Sequence, residues 1–332
     1  MLHIIITVDY EIFGNGKGDV KSHIVKPMNK IIDAANKYNV PITIMFEACE
    51  YITFKKYDHK LRRDLGYSPM EIIKDQIREA YSLGHDVQLH IHPQFVNMKY
   101  ENRKFVLEDP KKTIEDFSIE EVEEILRKGI EAVREVTGDT NKNVEVLRLS
   151  NMPWDEAPHA ILPIMEKLGF KAHSLATTSH RNNTSLNRWR INNSEILEIP
   201  IYSQKIKILE YFTLKRLFIL GYIKLHNRDN LQIKSNGCRT LKNIIDAKWD
   251  LSKLTYRQMI KFLDQAIAKY DYLNNEISLV MIGHTKDFFN QRNFEKFLRE
   301  VTGSTRYEGI VRFSKFSDFV NEVSKNESFV CK

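Results

Sequence analysis

Seven side chains in this sequence have the types and spacing that chemistry needs. Asp9 and Glu11 stand two apart in Thr7-Val8-Asp9-Tyr10-Glu11. In an extended strand such a pair points the same way, so one carboxylate can bind a divalent metal while the other takes a proton. His90 and His92 repeat that spacing in Gly84-His85-Asp86-Val87-Gln88-Leu89-His90-Ile91-His92-Pro93. Two imidazoles on one strand face can converge on one ion. Arg148 follows Val144–Leu147 and can pair with a catalytic carboxylate, orienting it and holding it ionised. His284 ends Leu279-Val280-Met281-Ile282-Gly283 and brings a near-neutral pKa to a pocket rim. Trp154 could stack on a sugar face or cover the core. Taken together, a metal held by one carboxylate and two imidazoles keeps open positions for water and substrate. With a free carboxylate, an Arg and a second His, the set fits metal-assisted hydrolysis of an amide or ester. His85 reads as a helix C-terminal cation with no ligand role.

The positions of these residues define the elements that must carry them. Short apolar runs at 2–8, 40–46, 86–92, 144–148, 171–176, 196–201 and 277–284 read as buried strands. Helix-period segments lie between most of them. Ile119, Val122, Leu126, Ile130 and Val133 recur at three- and four-residue steps. Segment 69–83 ends at Gly84, 158–168 ends at Gly169, and 259–270 is a further amphipathic stretch. Alternation of this kind predicts a mainly parallel sheet with helical crossovers. Periodicity alone leaves a barrel and an open doubly wound sheet as alternatives. In either, ligands meet the C-terminal ends of the strands, where the chemical residues stand.

Two stretches break the alternation. Residues 47–68 are rich in Tyr, Lys and Arg and predict a loop or short helix. Residues 204–248 form a longer insertion. Its first part mixes basic and large apolar residues, and a core-packed helix over one end of the sheet is expected there. A lid or a membrane-surface helix is the alternative.

Composition bounds the rest. The 332 residues carry 50 Lys plus Arg against 44 Asp plus Glu, a formal charge of +6. No basic tract concentrates that charge, so no nucleic-acid partner is expected. The three cysteines are far apart and form no C-x-x-C pair, which argues against a disulfide framework or a thiolate zinc site. No run reaches the roughly 18 apolar residues of a membrane span. The short apolar start MLHIIITVDYE lacks a basic lead and does not read as a signal peptide, so a cytoplasmic protein is expected.

The motifs, in this order, resemble those of the polysaccharide deacetylases, the NodB-homology group of carbohydrate esterase family four. TVDYE is similar to the first family motif, GHDVQLHIHPQ to the second, RLSNMPW to the third, and MIGH at the end of the last apolar run to the final one. The WbmS-like branch, associated with surface-polysaccharide gene clusters, is the nearest in pattern. Tyr10 stands where the family has a second Asp, and Gln94 where it has its second His, so His92 takes that place.

The resemblance implies an α/β fold, a distorted (β/α) barrel of about seven parallel strands. It implies one catalytic domain over 1–332, with insertions at 47–68 and 204–248. It implies a divalent metal, zinc, on Glu11, His90 and His92. Asp9 would be the general base, Arg148 would hold it, and His284 would protonate the leaving amine or stabilise the oxyanion. Asp9 and Glu11 could exchange roles. The implied activity is removal of an N-acetyl group from a sugar or saccharide intermediate, nucleotide- or lipid-linked carriers included, in surface-polysaccharide synthesis. The alternatives are hydrolysis of another C–N bond, such as a formamide or cyclic ureide, and an inactive saccharide-binding relative. A glycosyltransferase using Asp9 and Glu11 would leave the three histidines without a role.

Overall fold

The computed structural model describes residues 1–150, 157–179, 185–192, 194–227 and 244–327. Seven strands form a curled, mostly parallel sheet. They are β1 (Leu2–Tyr10), β2 (Thr43–Glu47), β3 (Asp86–Ile91), β4 (Val146–Leu149), β5 (Ala172–His173), β6 (Leu197–Glu198) and β7 (Ile277–His284). Their order is β7-β1-β2-β3-β4-β5-β6, every contact in that path being parallel. The ends approach each other past β6. Ile201 bridges Val280 in β7, the Tyr202 N–H donates to the Val280 carbonyl at 2.9 Å, and residues 249–251 bond along Ile282. Gly283 makes that closure possible, because a Cβ there would lie 2.7 Å from Leu251 Cγ. Trp189–Arg190 adds an antiparallel flank to β6, and Val311–Phe313 pairs with the start of β1.

Each of the seven predicted strands is present at its predicted place. The crossovers are helical as expected. Pro69–Ser82 starts on a Ser68 cap, and Ile119–Thr137 starts with a Ser118–Glu121 capping box and stops at left-handed Gly138. Strand alternation divides the buried residues into two sets. Ile4, Ile6, Val8, Ile44, Phe46, Val87, Leu89, Leu147, Leu149, Leu279 and Met281 join the cluster that also includes the flanking helices. Ile5, Met45, Val146, Ala172, Val280 and Ile282 form the second cluster. Phe316, Phe319, Val320 and Val323 of the C-terminal helix Phe316–Glu327 complete it. The chemical residues share the parity of this second set: Asp9 with Ile5, Arg148 with Val146, and His284 with Val280 and Ile282.

Residues 47–68 are helical, the second of the two alternatives, and hold two short helices, Ala48–Lys56 and Asp58–Leu65. Two sequence expectations need correction. His85 is no surface cation: it is buried, and its Nδ1 accepts from the Ile42 N–H at 3.3 Å. Burial pushes its pKa down to about 4, with Lys315 adding to the effect, so the ring stays neutral. In the 204–248 insertion, the helix Leu214–His226 buries only Arg216 and Ile223, so it is not packed all round as a core helix would be.

Candidate active site

Strand register assembles the site. Glu47, His90 and Arg148 are direct neighbours across β2, β3 and β4, while Asp9 and His284 are partners across β1 and β7. Side chains of one parity at the same level of a parallel sheet must converge, so residues as distant in sequence as Asp9 and His284 meet at its C-terminal edge. Beyond β1, the Thr285 hydroxyl donates to the Glu11 carbonyl at 3.1 Å and fixes the backbone that carries Glu11.

The first group is a buried cluster of Glu11, Glu47, His90 and His92, with one ligand atom of each within 4.8 Å of the others. His90 Nε2 is 3.2 Å and His92 Nδ1 is 3.0 Å from Glu11 Oε2. Glu47 Oε2 is 2.8 Å from the same His92 nitrogen. Tetrahedral bonds of about 2.0–2.1 Å would set donor atoms about 3.3 Å apart, close to what these side chains show. The His90 Nδ1–H donates to the Arg148 carbonyl at 2.8 Å. That contact fixes Nδ1 as a donor and turns Nε2 toward the cluster, the usual orientation behind a metal-bound imidazole.

Electrostatics point the same way. Asp9, Glu11 and Glu47 are all buried. Burial by itself would depress the pKa of His90, yet Asp9, Glu11 and Glu47 outweigh it and lift it to about 9. The pocket therefore draws in positive charge. Glu11 is held well below the usual carboxylate range: burial opposes ionisation, but His92, Lys286 and His90 prevail. The Lys286 ammonium donates to Glu11 Oε1 and, at 3.2 Å, to the Ile12 carbonyl. Behind the cluster, the Ile12 N–H donates to both oxygens of Glu50 at 3.1 Å. Burial, then Glu47 and Glu11, push Glu50 well above the usual range, toward the neutral acid. The donor set, two imidazoles with one or two carboxylates, suits a borderline divalent cation such as zinc.

The second group surrounds Asp9. Arg148, itself buried, places one guanidinium nitrogen 2.5 Å from Asp9 Oδ1 and its Nε 2.8 Å from the Ser174 carbonyl. Its other terminal nitrogen donates to Thr7 Oγ1 at 3.1 Å. The second Asp9 oxygen faces His284 Nε2 at 3.4 Å and His90 Nε2 at 4.0 Å. Burial would raise the pKa of Asp9, but Arg148, then His90 and His284, keep it below the ordinary value. Burial lowers the pKa of His284 in spite of Asp9, and its buried Nδ1 has no hydrogen-bond partner among the described residues.

Asp9, Glu11, His90, His92, Arg148 and His284 thus come together, while Trp154 lies outside the described residues. Glu47 and Lys286 are additions. Glu47 ends an apolar strand on the same parity as Met45 and was missed because the strand was read as ending at Phe46. Lys286 lies two residues past His284, in the turn after β7, and carries no motif signal of its own.

No family model matches this sequence, and no curated protein matches it. Solved structures do match in fold. One is a protein assigned as a polysaccharide deacetylase from Mycobacterium smegmatis: TM-score 0.52, 12% identity, covering 98% of this chain and 91% of that one. The PuuE allantoinase matches with TM-score 0.51 and 12% identity over 96% and 89%. A 4-alpha-glucanotransferase from Thermococcus litoralis has TM-score 0.54 and 9% identity, covering 97% of this chain but 40% of its own. The chain has the NodB-like fold of the polysaccharide deacetylases. Enzymes of unlike chemistry share that fold, so the reaction must be argued from the site.

Proposed function

We propose that this protein is a metal-dependent N-deacetylase acting on an N-acetylated sugar or saccharide intermediate, and that the whole chain serves one catalytic unit. The observation that carries this reading is the separation of two carboxylates with different surroundings. Glu11 lies among His90, His92 and Glu47, whereas Asp9 is held by Arg148 and faces His284. This favours Glu11 as ligand and Asp9 as base.

Glu11, His90 and His92 would hold the ion, with Glu47 as a fourth ligand or as the group that orients His92. A zinc ion so held would supply Lewis acidity and a water of lowered pKa. Asp9 presents one oxygen to the reacting centre because Arg148 occupies the other. It would take the proton of the attacking water, and Arg148 keeps it ionised and available for that step. His284, with Nε2 3.4 Å from Asp9, would donate a proton to the departing amine or a hydrogen bond to the oxyanion. Acetate and a free amine result.

The allantoinase neighbour favours a second reading, hydrolysis of a C–N bond in a cyclic ureide or formamide. One experiment separates them: metal analysis coupled to product detection over nucleotide-linked, lipid-linked and polymeric N-acetyl sugars, with ureides and formamides as competitors. Stoichiometric metal with acetate release supports the deacetylase. Formate or ring-opened ureide supports the second reading, and protein without stoichiometric metal or turnover defeats both.

A further inference from the structure

After β6 the chain runs through the strand Ser203–Lys207 into the helix Leu214–His226. Thr213 caps that helix, its hydroxyl accepting from the Arg216 N–H at 3.3 Å. The inner face is anchored by buried Ile223 and by Arg216, whose guanidinium lies 3.4 Å from the centroid of Tyr211. At the far end, Asn227 Nδ2 donates to the Lys286 carbonyl at 3.2 Å and to Asp287 at 3.1 Å. Tyr222 and His226 pack on Phe289 at 5.1 and 5.2 Å. The helix is therefore fastened to the loop that follows His284 and carries Lys286 of the site.

Its outer face is apolar. Leu214, Leu217, Phe218 and Leu225, with Gly221 among them, lie on one side and form one stripe, edged by Tyr222 where it packs on Phe289. Leu214 and Phe218 are each 78% exposed and Leu225 is 72% exposed. Among the described residues nothing covers that outer face, and an apolar helix face so exposed is left for a third medium. At 100° per residue, Lys215 and Lys224 border the stripe on opposite sides. Lys205 and Lys207 are exposed on the strand that leads into the helix. Glu210 is the one acidic residue of 203–227, and Lys261 pairs with it at 2.6 Å.

We propose that this face docks the protein on an anionic membrane surface, with the helix lying flat in the headgroup layer and the loop that carries Lys286 beside it. The basic borders match anionic headgroups, and the apolar stripe supplies the buried contact. The 13-residue helix is too short to cross a bilayer, which confines it to the surface. A second copy is a poorer occupant. A twofold contact through the stripe would bring Lys215 and Lys224 toward the same basic borders of its partner. If the deacetylase reading holds, a lipid-linked saccharide would be presented from the plane in which the enzyme sits.

The test is co-sedimentation of the full chain with vesicles of phosphatidylcholine, with and without about one-third phosphatidylglycerol. Binding to the anionic vesicles is expected, weakening as salt rises. The exposed double substitution Phe218→Ser/Leu225→Ser should lower that affinity about tenfold or more, and Lys215→Glu/Lys224→Glu should do the same. Circular dichroism should match the parent in both. The proposal is overturned if the parent chain stays in solution, or if Phe218→Ser/Leu225→Ser binds as tightly. Equal binding to phosphatidylcholine alone overturns the choice of an anionic surface. A dimer by light scattering that Phe218→Ser/Leu225→Ser dissociates assigns the face to a second copy instead. No substrate is present, so failure here leaves the hydrolase reading standing, and failure of that reading leaves the docking result intact.

Discussion

Glu47 offers the sharpest perturbation, because it joins two functions that can be separated. One oxygen accepts from the Cys49 N–H at 2.9 Å and caps the helix Ala48–Lys56; the other lies 2.8 Å from His92 Nδ1. Glu47→Gln keeps the volume and a carbonyl oxygen for the cap, and removes the charge from His92. A cap lost outright costs about 0.5–2 kcal/mol, so the amide should cost stability less than about 1 kcal/mol. Losing the partner that orients a ligand lowers metal affinity about 10–100-fold, or about 1.4–2.7 kcal/mol, and losing a direct ligand lowers it at least as much. Glu47→Ala should combine that metal defect with the full cap loss. The assay is zinc affinity by competition with a chromophoric chelator, read beside urea unfolding of the metal-free proteins. Wild-type zinc affinity in Glu47→Gln would refute a part for Glu47 in the metal centre. Equal metal loss but unequal stability between the two variants is the signature expected.

Three further outcomes follow from the same geometry. Asp9→Asn should keep its metal and lose about 10²–10⁴-fold in turnover, whereas Glu11→Ala should lose metal first; the reverse pattern would exchange base and ligand. Arg148→Met leaves Asp9 buried without its partner and should cost about 3–5 kcal/mol in urea unfolding, a loss under about 1 kcal/mol showing that the pair is not a net support. His85 has a folded pKa of about 4 against 6.5 for the free group, so the unfolded chain binds the extra proton between those values. Its neutral burial contributes stability that is complete above pH 6.5 and falls as pH drops toward 4, by about 3 kcal/mol at most. His85→Gln should flatten that part of the urea-midpoint profile, and an unchanged slope would contradict the burial argument.

The sequence by itself determined the strands and the candidate residues they carry. Seven apolar runs fell where the strands are, since buried parallel strands are written as short continuous apolar segments. The spacing of Asp9 with Glu11 and of His90 with His92 put each pair on one face, because side chains alternate along a strand whatever lies around it. What the spacing left open was decided by tertiary contacts. Asp9 and Glu11 are equivalent in a list of residues; Arg148 reaching one, and His90, His92 and Lys286 surrounding the other, makes them different. Glu47 entered only through register, one residue beyond the expected end of β2, where a shift of one position decides which side of the sheet a side chain faces. Lys286 depends on the turn after β7 folding back over Glu11. The helix Leu214–His226 shows the same limit from the other direction. Its apolar residues run nearly all round, and composition cannot say which face meets protein. Arg216 on Tyr211 and Asn227 on the β7 loop settle the inner face, and only then is the outer stripe of Leu214, Phe218 and Leu225 seen to be left uncovered by the described residues. Periodicity is local and is carried by the chain itself. Which surfaces meet depends on contacts between segments hundreds of residues apart, and these exist only once the sheet has closed.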